Sequence, residues 1–138
     1  KGERSEIVGG EKDRGGGELL TANGKRIEAP FEGQGVFYIY GSDQTVIRGR
    51  HANRNSEFLL INVCGSSKVR VDDGMGNETV VVLDGPATGL YLPTMVWKDM
   101  YDFSEDAVLL VLASEHYDSE EYIRDYEEFQ QIVRKGRT

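Results

Sequence analysis

Residues 68–84 read K-V-R-V-D-D-G-M-G-N-E-T-V-V-V-L-D, and this stretch decides the fold class. Lys68–Asp72 alternates polar and apolar side chains, the period of a strand with one covered face. Asp72-Asp73-Gly74 supplies turn residues, because glycine tolerates positive φ, and a second strand-forming run follows over Thr79–Asp84. The three pieces make a hairpin. Working outward, short runs rich in Val, Ile, Leu and Tyr recur at Val36–Tyr40, Thr45–Arg50, Glu57–Val63, Gly89–Pro93 and Ala107–Ala113. Each is bounded by Gly, Asp, Asn, Ser or Pro, and a repeat of about 8–12 residues is the spacing of a β-sandwich or barrel. Val80–Leu83 and Val108–Leu112 are continuous apolar runs, expected to be covered on both faces by a closed barrel or double sheet.

The two ends differ from this middle. Residues 1–17 are polar and glycine-rich and read as a flexible arm. No Gly-Lys-Ser/Thr follows them and no strand precedes them, so P-loop and dinucleotide readings fail. Residues 18–116 form the barrel. Residues 117–138 form a helical tail: Asp118 or Ser119 caps it, Glu120 and Glu121 favour its positive end, and Tyr122, Tyr126, Phe129 and Val133 follow at helical spacing. Lys135 and Gly136 close it.

The chain has 138 residues, enough for one domain with one core. A single cysteine, Cys64, excludes an intrachain disulfide, points to the cytoplasm, and is expected to be a small buried packing residue. Sixteen Lys plus Arg against 24 Asp plus Glu give a net charge of −8, which argues against nucleic acid or an anionic membrane as a partner. No apolar run approaches a membrane span and no signal-type segment is visible; a chain opening on Lys1 is read as trimmed upstream.

One basic segment stands out: Arg48-Gly49-Arg50-His51-Ala52-Asn53-Arg54. On a regular strand His51 and Asn53 share one face, the lumen of a barrel, and Arg48, Arg50 and Arg54 the other. Arginine forks suit a diphosphate at the barrel mouth. A metal site is the competing use of this segment. His51, Asn53 and Glu57 have the spacing of metal-binding cupin barrels, but Asn53 stands where a second histidine belongs and Lys98 where a third does. A protonated amine cannot ligate and an amide oxygen ligates poorly, so neither a metal nor another cofactor is expected.

Taken in order, Asp13-Arg14-Gly15, Pro30-Phe31, Tyr38-Ile39-Tyr40, Arg48-Gly49-x-His51-Ala52, Asp72-Asp73-Gly74, Gly89-Leu90-Tyr91, Trp97 and Asp102-Phe103-Ser104 form a recognisable series, continued by Leu110–Ser114 and Tyr117 through Tyr126. From about Asp13 to Phe129 the chain resembles the sugar-nucleotide 3,4-ketoisomerases, cupin-fold enzymes acting on dTDP-4-keto-6-deoxyglucose. The resemblance implies an all-β, double-stranded β-helix (jelly-roll) barrel with a C-terminal helix, a homodimer, and a metal-free pocket for a dTDP-sugar.

Moving a ketone from C4 to C3 removes the C3 proton, passes through an enediol and returns a proton at C4, work suited to a histidine. The resemblance makes His51 the base and Tyr38 a pocket donor. Arg48 and Arg54 would serve the diphosphate, and Asn53, Glu57, Trp97 and Lys98 the remaining substrate contacts. The family's His-Ala-His pair is here His51-Ala52-Asn53, and Gly35, Phe58 and Lys98 replace its usual Arg, Gln and His. Three readings stay open: a working isomerase, a relative that binds a nucleotide sugar without turning it over, and a metal-dependent cupin. His116 is assigned no role.

Overall fold

Period-2 alternation in the middle of the chain builds two antiparallel sheets that close on each other. A computed structural model describes residues 6–12 and 18–20 as strands, and residues 31–42 and 44–136 throughout. Its elements are β1 (Glu6–Lys12), β2 (Glu18–Leu20), β3 (Gly35–Tyr40), β4 (Arg48–Asn53), β5 (Phe58–Cys64), β6 (Ser67–Asp72), β7 (Glu78–Leu83), β8 (Thr88–Leu92), β9 (Trp97–Tyr101), β10 (Val108–Ala113), β11 (Tyr122–Ile123) and α1 (Tyr126–Lys135). One sheet runs β2-β1-β8-β5-β10-β3 and the other β11-β4-β9-β6-β7. This is the jelly-roll barrel expected, with its single C-terminal helix.

The inward residues of both sheets make the core: Phe58, Leu60, Leu90, Leu109 and Val111 from one, Val69, Val71, Leu83 and Met100 from the other. Outward residues form two further clusters. Leu59, Ile61 and Tyr91 lie outside the six-stranded sheet. Ala52, Trp97 and Ile123 lie outside the five-stranded one, where α1 lays Phe129, Ile132 and Val133 over them.

Several expectations change. The β6–β7 hairpin forms, but its loop runs from Asp73 to Asn77, with the Asp73 carboxylate accepting from the Met75 and Asn77 amides. Gly74 sits at φ +79° under the Phe129 ring. Val80 and Val82 are half exposed because β7 is a sheet edge with no layer outside it. Within the stretch assigned to a flexible arm, residues 6–9 pair with β8 and residues 10–12 with β2; main-chain hydrogen bonds make that strand without an apolar pattern. Cys64 is exposed, since a register shift opposite Val108 and Leu109 turns the end of β5 outward. In the tail, Asp118 caps only a 3₁₀ turn (Ser119–Glu121), Tyr122 belongs to a strand, and the helix begins later, capped by Asp125.

The feature that positions the site is a β-bulge in β4. Arg48 pairs with Met100, Gly49 with Asp99 and His51 with Lys98, so Arg50 has no partner on β9. Gly49 and Arg50 take φ values of +87° and +57°, the left-handed region that strains L side chains. A Cβ on Gly49 would lie 2.8 Å from the Lys98 carbonyl oxygen. Gly49→Ala should therefore lower stability by about 1–3 kcal/mol in urea unfolding. Gly85→Ala, at an open position without positive φ, should stay within about 0.5 kcal/mol of the parent.

Candidate active site

Alternation along β9 sends Trp97 and Asp99 outward and Lys98 and Met100 into the barrel. His51 lies directly opposite Lys98 in the β4–β9 ladder, which puts both side chains on the inner face. They line a cavity of about 390 Å³ together with Phe58, Leu60, Met100 and Val111, with Arg48 and Arg124 among its borders. A second chamber of about 410 Å³ shares Phe37, Phe58 and Tyr122 with it and adds Tyr117, Glu115 and Glu121. Two adjoining chambers with an apolar floor and few polar groups are the form of a small-molecule site.

The His51 ring is held by one hydrogen bond and one aromatic contact. Its Nδ1 lies 3.0 Å from the Gly49 carbonyl, which can only accept, so in the neutral ring Nδ1 carries the proton and Nε2 keeps its lone pair. The Tyr122 ring packs against it at 4.7 Å between centroids. Burial, then the nearby Lys98 charge, lowers the His51 pKa to about 4, although the hydrogen bond to Gly49 opposes the shift. His51 is a neutral base at pH 7.

Lys98 is almost wholly buried, at 4% exposure. Its Nζ donates to Asn53 Oδ1 at 3.1 Å and stands 4.9 Å from the Phe58 ring centroid. Burial pushes its pKa down to about 7, against a smaller opposing pull from Glu121. Glu121 is itself buried and held below the usual carboxylate range. Burial would raise it, but hydrogen bonds from Ser56 and from the Asn55 and Ser56 amides outweigh that effect.

The structure gathers some of the expected residues and scatters others. His51 and Lys98 face the lumen, and Arg48 joins them because the bulge reverses the alternation that placed it outside. Asn53 does point inward but sits behind Lys98 as its hydrogen-bond acceptor, not in the cavity wall. Tyr38 borders the cavity, yet alternation along β3 turns it outward with Val36 and Tyr40, leaving it 62% exposed, while Phe37 takes the inner place. Trp97, expected on the ligand, is sealed against Phe129 and Tyr126 outside the barrel. Glu57 faces the other outer side, where it accepts from the Tyr91 hydroxyl at 2.5 Å. Arg54 pairs loosely with Glu128 of the tail at 3.8 Å.

Tyr122, Arg124, Glu121 and Ser56 were not foreseen. The tail reads as a helix, and only β11 pairing with β4 brings it to the barrel mouth. Among the described residues, no group of three or more His, Cys, Asp or Glu is placed to hold a metal, and no helix is long and apolar enough to cross a membrane.

A jelly roll whose lumen opposes a neutral histidine to a buried lysine, with arginines at the rim, is a cupin with a basic, largely apolar pocket. The chain belongs to the FdtA family: the family model described as "WxcM-like, C-terminal" matches residues 5–134. It is 42% identical over 116 residues to the TDP-4-oxo-6-deoxy-alpha-D-glucose-3,4-oxoisomerase of Aneurinibacillus thermoaerophilus, over 84% of this chain and 83% of that protein. Among solved structures, the TDP-fucose-3,4-ketoisomerase WlaRA from Campylobacter jejuni matches with a TM-score of 0.83 and 38% identity, covering 95% of this chain and 96% of that one. The 3,4-ketoisomerase QdtA from Thermoanaerobacterium thermosaccharolyticum, solved as a histidine-to-asparagine variant in complex with TDP-4-keto-6-deoxyglucose, matches at TM-score 0.83 and 35% identity over 95% and 94% of the two chains.

The depressed Lys98 pKa has a measurable signature in stability. Between its value in the fold, about 7, and the ordinary lysine value of about 10.4, the unfolded chain binds the extra proton, so wild-type stability gains from rising pH across that window. Lys98→Met lacks this gain. Relative to wild type, the variant should lose about 2 kcal/mol of stability between pH 7 and pH 9, read by urea unfolding at both values.

Proposed function

We propose that this protein is a TDP-sugar 3,4-ketoisomerase working on a TDP-4-keto-6-deoxyhexose. The observation that carries the reading is His51, a neutral imidazole whose tautomer is set by Gly49 and whose free Nε2 belongs to the inner face of the barrel. The names of the family members support the substrate class.

In this reading the hexulose ring occupies the His51–Lys98 chamber. His51 Nε2 takes the proton from C3; the C–H electron pair becomes the C3–C4 double bond, and the C4 carbonyl oxygen takes the negative charge. A proton passes from O3 to O4, and the same nitrogen returns its proton to C4 as the C3 carbonyl forms. The Lys98 ammonium stabilises the enediolate at close range in an apolar pocket, where charge is worth far more than in water. Arg48 and Arg124 meet the diphosphate at the rim, and the second chamber, walled by Phe37, Tyr117 and Tyr122, takes the nucleoside. Asn53 acts through Lys98 by holding its amine.

The reading includes a homodimer in the cytoplasm. β3 is a sheet edge whose outer face exposes Val36, Tyr38 and Tyr40, a surface that a second copy would cover. Light scattering should give twice the chain mass.

Wild-type protein incubated with TDP-4-keto-6-deoxyglucose should convert it to the 3-keto isomer, followed by NMR. His51→Asn should lower turnover by about 10²- to 10⁴-fold while still binding TDP. Binding by the wild type without isomerisation or exchange of the C3 hydrogen in deuterium oxide would overturn the proposal.

A further inference from the structure

A keto shift moves two protons, one from C3 to C4 and one from O3 to O4. His51 accounts for the carbons only. The group facing it is Lys98, directly across the ladder, with its amine tethered to Asn53 and standing over the Phe58 ring. We propose that Lys98 is the proton carrier for the sugar oxygens: its ammonium protonates O4 as the C3–H bond breaks, and the resulting amine takes the O3–H proton as the C3 carbonyl forms.

The step balances. The C3–H pair makes the C3–C4 double bond, the carbonyl π pair takes the Lys98 proton at O4, and an enediol results. Loss of the O3 proton to the amine then drives the C3 carbonyl closed while the double bond takes the His51 proton at C4. Both side chains return to their starting states, and no oxidant or co-reactant is needed.

The surroundings fit the role. An amine that must give and then regain a proton works best when it titrates near the working pH, and burial brings Lys98 to about 7. The other ionisable groups lining the chamber are Arg48 and His51 from β4, Tyr122 from β11, Arg124, and Tyr38 of β3, which turns outward to solvent; Glu121 acts from the adjoining chamber. His51 titrates near 4, Glu121 is held low and Tyr122 is raised by burial. Arginines stay charged. Lys98 is thus the group in this set suited to exchange a proton near neutrality. Asn53, the acceptor behind the Lys98 amine, is an amide that does not ionise near neutrality and cannot share this duty.

This inference rests on the ketoisomerase reading, and its test separates the two. Lys98→Arg keeps the positive charge but cannot release a proton at pH 7. In deuterium oxide it should still exchange the C3 hydrogen of the substrate within about tenfold of wild type, while isomerisation falls by about 10²-fold or more. Exchange and isomerisation both retained, or both lost together in a folded variant, would overturn the role of Lys98. A wild type that shows neither would overturn the ketoisomerase reading itself. Should Lys98→Arg fail to fold, the wild-type pH profile decides: kcat/KM should fall above an alkaline limb near pH 7 and below an acid limb near pH 4. An alkaline limb at pH 9 or above would refute the proposal.

Discussion

Between Arg48 and His51 strand β4 carries one residue more than its partner β9 can match, and the surplus is absorbed by two consecutive residues in left-handed backbone. Everything chemical in the molecule follows from that local excess. It returns Arg48 to the inner side, sets His51 opposite Lys98, and leaves the Gly49 carbonyl where the imidazole can use it. Gly49 fits because a Cβ there would strike the Lys98 main chain. A bulge next to a functional site is a common way to re-aim a side chain.

The second constraint is electrostatic. Phe58, Leu60, Met100 and Val111 make the chamber apolar, so each basic nitrogen placed in it loses hydration and pays through a lowered proton affinity. Lys98 depresses His51 further by its charge. Glu121, clamped by Ser56 and Asn55, supplies a fixed negative charge that acts in the opposite sense on both nitrogens. The outcome is two basic nitrogens with separated titration ranges in one small space, His51 near 4 and Lys98 near 7.

Much of this architecture was legible in the chain. The hairpin at 68–84, the strands β3, β5, β8 and β10, and the basic segment holding His51 all carry local signals strong enough to read. The parts that were not legible depend on pairing over long distances. β1 has two glycines and no apolar alternation, and it exists because β8 offers a free edge. Tyr122 sits at helical spacing from Tyr126 and Phe129, yet ladder bonds to Asn53 make it a strand. In the site, strict alternation misplaced Arg48 because nothing in the residue types announces a bulge. Trp97 and Tyr38 were drawn to the ligand as aromatics, whereas the neighbours Lys98 and Phe37 hold the inward positions. The family resemblance identified the fold, and His51 does face the lumen; the resemblance did not distinguish wall residues from those one layer behind.

The tail has a consequence for how the barrel can vary. Between Asp118 and Lys135 the chain first lends Glu121 and Tyr122 to the rim of the chamber and then folds α1 over Trp97 on the outside. One short segment therefore acts as both the lintel of the binding chamber and the roof over its supporting strand. Insertions or fusions that shift this segment along β4 would disturb the rim of the chamber and the cover of its wall together, so residues 118–135 couple the two mechanically.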